Sequence, residues 1–93
     1  MSNTKGGIEV KVVGQVQGVF FRQGVKEVAE ELGLTGWVRN EKDGAVKIIA
    51  EGEEENLHKL IEWCKEGTEW AKVERVEIEW REGKREFGEF SIH

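Results

Sequence analysis

The residues best suited to chemistry lie in an early segment, VVGQVQGVFFR, which spans residues 12–22. Gly14 and Gly18 frame a short loop between a strand pattern and a helix pattern, where backbone N–H groups lack partners. Because the helix dipole adds positive character there, the loop can form a concave site for an anion. Arg22 follows at the start of the helix, where the dipole disfavours a cation by about 0.3–1 kcal/mol. We interpret Arg22 as the partner of a bound anion, although an ordinary turn with a solvated arginine explains the spacing alone at least as well.

The second candidate side chain is Asn40, which ends the segment GWVRN and precedes EKDGAVKIIAEG. The Asp43-Gly44 pair predicts a tight turn between two antiparallel strands. Asparagine is common beside turns because it tolerates left-handed backbone angles and bonds its own main chain, so a conformational role explains Asn40 when it is taken alone. A first strand joined to the second through a helix can nevertheless place the glycine-framed loop and Asn40 at one end of a sheet. Both groups could then face one ligand.

Hydrophobic periodicity predicts the elements that must hold these groups. Ile8, Val10 and Val12 alternate with charged residues as in a strand, whereas the two helical segments repeat apolar residues at the i, i+3, i+4, i+7 spacing. The predicted elements are, in order, a strand from Ile8 to Gly14, a helix ending at Gly33, strands at 36–40 and 45–51, a helix from about Glu53 to Glu66, a strand carrying Val76, Ile78 and Trp80, and a last strand holding Phe90 and Ile92.

This order is typical of an α+β fold, the ferredoxin-like split βαβ sandwich, with a mostly antiparallel sheet and both helices on one face. The 93 residues leave too little chain for a second core. Residues 1–7 are small and polar and are predicted to be a flexible tail. Residues 8–93 are predicted to form the single domain.

Composition excludes several classes of function. A net charge of −5 disfavours electrostatic binding to nucleic acid or to anionic membranes, and no apolar run is long enough for a membrane helix. One cysteine and two distant histidines do not build a structural zinc site or an internal disulfide. We therefore expect a soluble, cytoplasmic, monomeric protein without metal or cofactor.

The segments GQVQGVFFR and GWVRNEKDGAVKIIAEG closely resemble the two signature stretches of the acylphosphatase family, and the resemblance extends from about residue 8 to residue 92. It implies hydrolysis of the carboxyl–phosphate bond of small-molecule acyl phosphates, with inorganic phosphate as a product. It also implies that Asn40 positions a water molecule and that Arg22 binds phosphate. The phosphate cradle that it implies consists of backbone amides at Gln15, Val16, Gln17, Gly18 and Val19.

Two other readings remain. A non-catalytic accessory domain, as in some larger hydrogenase-maturation proteins, would keep the fold and the cradle but only bind acyl or carbamoyl phosphate. A ferredoxin-like RNA-binding module is disfavoured because the chain lacks a basic surface and the aromatic signature of that module.

The chain departs from the resemblance at residues 67–70, where many relatives carry a proline-containing stretch, and at its last residue, His93. We expect neither departure to touch the signature residues. Cys64 lies on an apolar helical seam and is predicted to be a core residue rather than a nucleophile. His58 and His93 are predicted to be solvated, and the four tryptophans are predicted to serve packing.

Overall fold

A computed structural model describes residues 5–93, which form one five-stranded sheet and two helices. The elements are β1 (Lys5–Gln15), α1 (Phe21–Glu31), β2 (Thr35–Asn40), β3 (Val46–Glu53), α2 (Glu54–Glu66), β4 (Lys72–Arg81) and β5 (Phe90–Ile92). The sheet order is β4-β1-β3-β2-β5; all neighbouring strands pair antiparallel except β2 and β5, which are parallel. The α+β sandwich expected from the sequence is confirmed.

The first strand begins earlier than predicted. Lys5 pairs with Glu53 and Gly6 with Gly52, so residues 5–7 belong to β1 and not to a flexible tail. Hydrophobic periodicity did not indicate a strand at these residues, because glycines carry no side chain that could alternate between apolar and polar. Their partner strand β3 is long enough to pair with them, which decides their conformation. The rest of the predicted tail, residues 1–4, lies outside the described residues.

The core lies between the sheet and the two helices. Strand residues with alternate spacing and the apolar seams of both helices meet there, as their periodicity predicts. Burial raises the pKa of the Cys64 thiol to about 12, so this side chain stays neutral, and its predicted place in the core is confirmed. Neither helix of residues 5–93 is long and apolar enough to cross a bilayer. The fully buried core includes Ile8, Val10, Val12, Val25, Ala29, Val38, Ile48, Leu57 and Leu60.

Strand β4 is only partly covered, because it is an edge strand of the sheet. Its apolar residues share one face, as predicted, yet Ile78 and Trp80 are 38% and 42% exposed. Trp80 contacts the ring of His58 with centroids 4.8 Å apart, and His58 is otherwise solvated. The edge therefore contributes less burial than its sequence pattern suggests.

The turn between β2 and β3 closes as the Asp43-Gly44 pair predicts. The Glu41 N–H donates to the Ala45 carbonyl at 2.8 Å, and the Ala45 N–H donates to Asp43 Oδ1 at 3.0 Å. The hydrogen bond from Lys11 Nζ holds the pKa of the Asp43 carboxyl below its usual value. This closure fixes the place where β2 ends, at Asn40.

Candidate active site

A change of register near the end of β1 precedes the loop that follows this strand. The β1–β4 pairing shifts between Val13 and Gly14, and Gly14 has a φ of +141°. A Cβ there would overlap the carbonyl oxygen of Lys72, so only glycine fits between the two strands. Such a bulge bends the strand and redirects its end. The chain leaves the sheet after Gln15 and forms the loop of residues 16–20.

This loop presents backbone donors without acceptors. None of the N–H groups of residues 16–20 donates to an acceptor within the described part of the chain. Helix α1 begins at once, its N-cap residue Phe20 makes no side-chain capping bond, and its first turn holds no acidic residue. Gly18 adopts a φ of +76° with open space around its Cα. Unpaired donors and an uncompensated helix dipole together form a site suited to an anion.

Side chains hold the loop in place on two sides. Val16 is 1% exposed and belongs to the core. Gln17 Nε2 donates to the carbonyl oxygens of Glu41 and Ala45 at 2.8 and 2.9 Å. The loop is thus tied to the β2–β3 turn, immediately beyond Asn40.

Replacing Gln17 with alanine is expected to weaken inorganic phosphate binding by roughly tenfold and to lower the free energy of unfolding by about 1–3 kcal/mol, because two hydrogen bonds are lost. Phosphate inhibition constants and urea unfolding measure the two effects. Asn56→Ala is the matched control, because Asn56 Nδ2 also donates to a backbone carbonyl, that of Leu32 at 3.1 Å, but this bond holds α2 to the end of α1 and not the loop. Equal phosphate affinity in Gln17→Ala and the unmodified protein would contradict a positioning role for this side chain.

Arg22 lies in the first turn of α1, beside the loop. Its side chain is half-buried, and it makes no ion pair or hydrogen bond with any residue in the range 5–93. It lines a cleft of about 300 Å³ together with Gly18, Phe20 and Ile92. A guanidinium without a carboxylate partner, next to unpaired N–H groups, can make two parallel bonds to an oxyanion.

Asn40 lies at the same end of the molecule. It shares its strand face with Val38, two residues earlier, which is fully buried on the side of the sheet that the helices cover. Val38 pairs with Ile92, which lines the cleft that holds Arg22. Asn40 Oδ1 is buried and has no hydrogen-bond partner among the described residues. The structure therefore brings the loop, Arg22 and Asn40 to one end and one face of the sheet.

Comparison with known proteins identifies the family of this chain. A family model for acylphosphatase matches residues 8–92. The chain belongs to the acylphosphatase family. It is 47% identical over 93 residues to an acylphosphatase of Pyrobaculum islandicum, covering 99% of this chain and 96% of the relative. The resemblance carried by the two signature stretches is confirmed.

Solved structures agree with this membership. The fold matches an acylphosphatase from Coxiella burnetii with a TM-score of 0.90 and 42% identity, covering 96% of this chain and 93% of that one. It also matches full-length HypF in its phosphate- and nucleotide-bound form, with a TM-score of 0.85 and 26% identity over 100% of this chain but only 12% of HypF.

The departures from the acylphosphatase pattern do touch the signature residues, so that expectation was wrong. Thr68 Oγ1 donates to the Val19 carbonyl at 2.7 Å, and the Trp70 ring lies 5.5 Å from that of Phe20. The sheet topology explains this contact, because α2 returns to the sheet end where α1 begins and β4 starts beside Gln15. The connection between α2 and β4 is therefore part of the wall of the loop.

The last residue also contacts a signature stretch. The His93 N–H donates to the Val38 carbonyl at 2.8 Å, and its ring stacks on Trp37 at 5.4 Å, although the side chain is otherwise exposed. On this same open face of the sheet, Arg39 lies over the Trp37 ring and pairs with Glu41 at 2.9 Å. Arg39 thus faces away from the cleft.

Within residues 5–93, no group of three or more His, Cys, Asp or Glu side chains could hold a metal ion.

Proposed function

We propose that this chain hydrolyses acyl phosphates to a carboxylate and inorganic phosphate by in-line attack of a positioned water, without metal or cofactor. The observation that carries the proposal is the loop whose N–H groups are unpaired within residues 5–93, beside an arginine that has no carboxylate partner in the same range. Membership of the acylphosphatase family supports the same reaction. The loop, Arg22 and Asn40 all come from one chain, so a monomer is sufficient.

The leaving group makes this small set of residues sufficient. An acyl phosphate releases a carboxylate, whose conjugate acid has a pKa of about 4, so the oxygen that departs needs no proton. The remaining task is to position the phosphoryl group and to stabilise charge on its oxygens in the transition state. Preorganised amides and a guanidinium can do this without a general acid.

The phosphoryl group would lie in the loop. We assign its oxygens to the backbone N–H groups of Gln15, the last residue of β1, and of Val16, Gln17, Gly18 and Val19 in the loop, and to the guanidinium of Arg22. The Gln17 side chain donates to the β2–β3 turn, whereas its backbone N–H donates to no residue in the range 5–93 and is available to the ligand. The left-handed backbone of Gly18 and the open space around it allow a ligand to approach closely.

Asn40 would hold the attacking water. Its buried Oδ1 lacks a partner among the described residues and can accept a hydrogen bond from that water. A carboxamide has no accessible pKa and cannot remove a proton. The water oxygen bonds to phosphorus as the bond to the bridging oxygen breaks, and the electron pair leaves with the carboxylate. One proton stays on the new P–O group, and the other passes to a non-bridging phosphoryl oxygen.

Hydrolysis of benzoyl phosphate in the presence of a chelator tests the proposal. We expect steady turnover that the chelator does not reduce, and no turnover of phenyl phosphate. Phenol has a pKa of about 10, like the tyrosine side chain, so phenyl phosphate would need a general acid, which the proposed mechanism does not include. Activity that requires added metal, or equal turnover of both compounds, would overturn the mechanism.

The alternative function is that of a domain that binds acyl or carbamoyl phosphate without turnover. The structural similarity to HypF is the observation that favours it. The match over 96% of the Pyrobaculum islandicum relative, against 12% of HypF, favours the hydrolase. Phosphate binding without benzoyl phosphate hydrolysis would support the alternative function.

A further inference from the structure

We propose that Phe20 and Trp70 bind the organic part of the acyl group and give the site a preference for aromatic acyl phosphates over small ones such as acetyl phosphate. The inference rests on the proposed function, because it concerns the substrate of that same site. It adds a second subsite, of apolar character, to the polar one that holds phosphate.

Both rings are far more exposed than large apolar side chains usually are. Phe20 is 68% and Trp70 60% exposed, and their ring centroids are 5.5 Å apart with planes at 61°. Edge-to-face contact is favourable between aromatic rings and leaves the outer faces free for a third ring. Trp70 was predicted to serve packing, but it makes its aromatic contact at the rim of the phosphate loop and not in the core.

The backbone holds Phe20 outward under strain. Its φ and ψ are 63° and 20°, in the left-handed region, which is unusual for a bulky residue. The N-cap of a helix favours Ser, Thr, Asn, Asp or Gly, and Phe20 supplies no capping bond. Strain at a position where other residues would fit better points to a function for the side chain.

Trp70 lies in the connection between α2 and β4, and a defined turn holds this connection against the phosphate loop. Thr68 Oγ1 donates to the Val19 carbonyl at 2.7 Å, and the Ala71 N–H donates to the Thr68 carbonyl at 3.0 Å. The connection between α2 and β4 is thereby fixed to the loop, one residue from Phe20. The aromatic pair is therefore built into the same unit as the phosphate donors.

The stereochemistry of the reaction favours this location for the acyl group. In an in-line displacement, the leaving oxygen departs on the side opposite to the attacking water. Asn40 ends β2, whereas Trp70 leads into β4, and β3 and β1 lie between these strands in the sheet. Phe20 also lines the cleft that contains Arg22 and Gly18, so a group bonded to phosphate there can reach its ring.

The test compares benzoyl phosphate with acetyl phosphate in two variants. Trp70→Ala removes one ring, and Phe20→Gly removes the other while fitting the left-handed backbone without strain. We expect Trp70→Ala to raise the KM for benzoyl phosphate by roughly tenfold, with acetyl phosphate kinetics and phosphate inhibition unchanged. Because the backbone of Phe20 belongs to the anion loop, the readout for Phe20→Gly is the ratio of kcat/KM for benzoyl phosphate to that for acetyl phosphate, which should fall by roughly tenfold. Trp70→Phe should retain most of the preference, and Trp80→Ala, a half-exposed tryptophan remote from the loop, should have no effect.

The outcomes separate this inference from the function on which it rests. If the unmodified protein hydrolyses neither substrate, the proposed function fails and the inference falls with it. If it hydrolyses both and each variant affects them equally or not at all, only the acyl subsite is wrong. Dissociation of a dimer in Trp70→Ala, with unchanged substrate preference, would assign the aromatic pair to self-association and also overturn the inference.

Discussion

Replacing Arg22 with alanine is expected to lower kcat/KM for benzoyl phosphate by roughly a thousandfold and to abolish measurable inhibition by inorganic phosphate. The guanidinium lines the cleft without a carboxylate partner in the described chain, so its charge is available to the ligand. Charge-assisted hydrogen bonds stabilise by roughly 1.5–3 kcal/mol each, and a fork can make two of them. Steady-state kinetics with phosphate as inhibitor measures both effects.

Two further variants make the Arg22 prediction specific. Arg22→Lys keeps the charge but loses the planar fork, and we expect it to recover only part of the phosphate affinity. Arg75→Ala removes an exposed arginine that pairs with Glu77 at 2.7 Å and should leave activity unchanged. Unfolding should show that Arg22→Ala is no less stable, because a cation at a helix N-terminus is unfavourable by about 0.3–1 kcal/mol. Equal phosphate inhibition of Arg22→Ala and the unmodified protein would refute the assignment.

The elements of this fold are predictable because each has a local cause. The periodicity of Ile8 to Val12 and the apolar seams of the helices give the type of each segment, and Asp43-Gly44 gives the turn. The two glycines Gly33 and Gly67 both adopt positive φ where a helix has ended, as helix C-termini favour. Local sequence is sufficient to predict the type of a segment wherever that segment only has to bury one apolar face in the core.

Errors arise where a distant partner decides the structure. Residues 5–7 join β1 only because β3 extends to Glu53 to meet them. Trp80 repeats the strand pattern correctly, but its exposure depends on how far α2 reaches over an edge strand. Neither fact has a signal in the local sequence.

The same distinction applies to the site. The loop and Arg22 adjoin each other in sequence, so their juxtaposition follows from one strand–loop–helix segment. Gln17 bonds carbonyls 24 and 28 residues away, and Thr68 bonds one 49 residues away, so the supports of the loop could not be read from spacing. The motif predicts the donors, whereas the side chains that hold the loop are evident only from the fold.

Replacing Asn40 with alanine is expected to reduce kcat for benzoyl phosphate by roughly a hundredfold while leaving phosphate inhibition nearly unchanged, because this side chain would contact the water and not the phosphoryl group. The free energy of unfolding should change little, since the buried Oδ1 has no hydrogen-bond partner within residues 5–93 that the substitution would remove. Steady-state kinetics and urea unfolding, measured on the same preparation, give the two quantities.

Asn56 supplies the opposite pattern as a control. Its Nδ2 donates to the Leu32 carbonyl at 3.1 Å, a bond between α2 and the end of α1 that lies outside the candidate site. Asn56→Ala should therefore lose about 0.5–1.5 kcal/mol of stability and keep its turnover, whereas Asn40→Ala should keep its stability and lose turnover. Normal turnover in Asn40→Ala would show that this carboxamide does not position the attacking water. A parallel loss of phosphate affinity would instead make Asn40 a ligand of the phosphoryl group, so the pair of variants separates positioning of the water from binding of the anion.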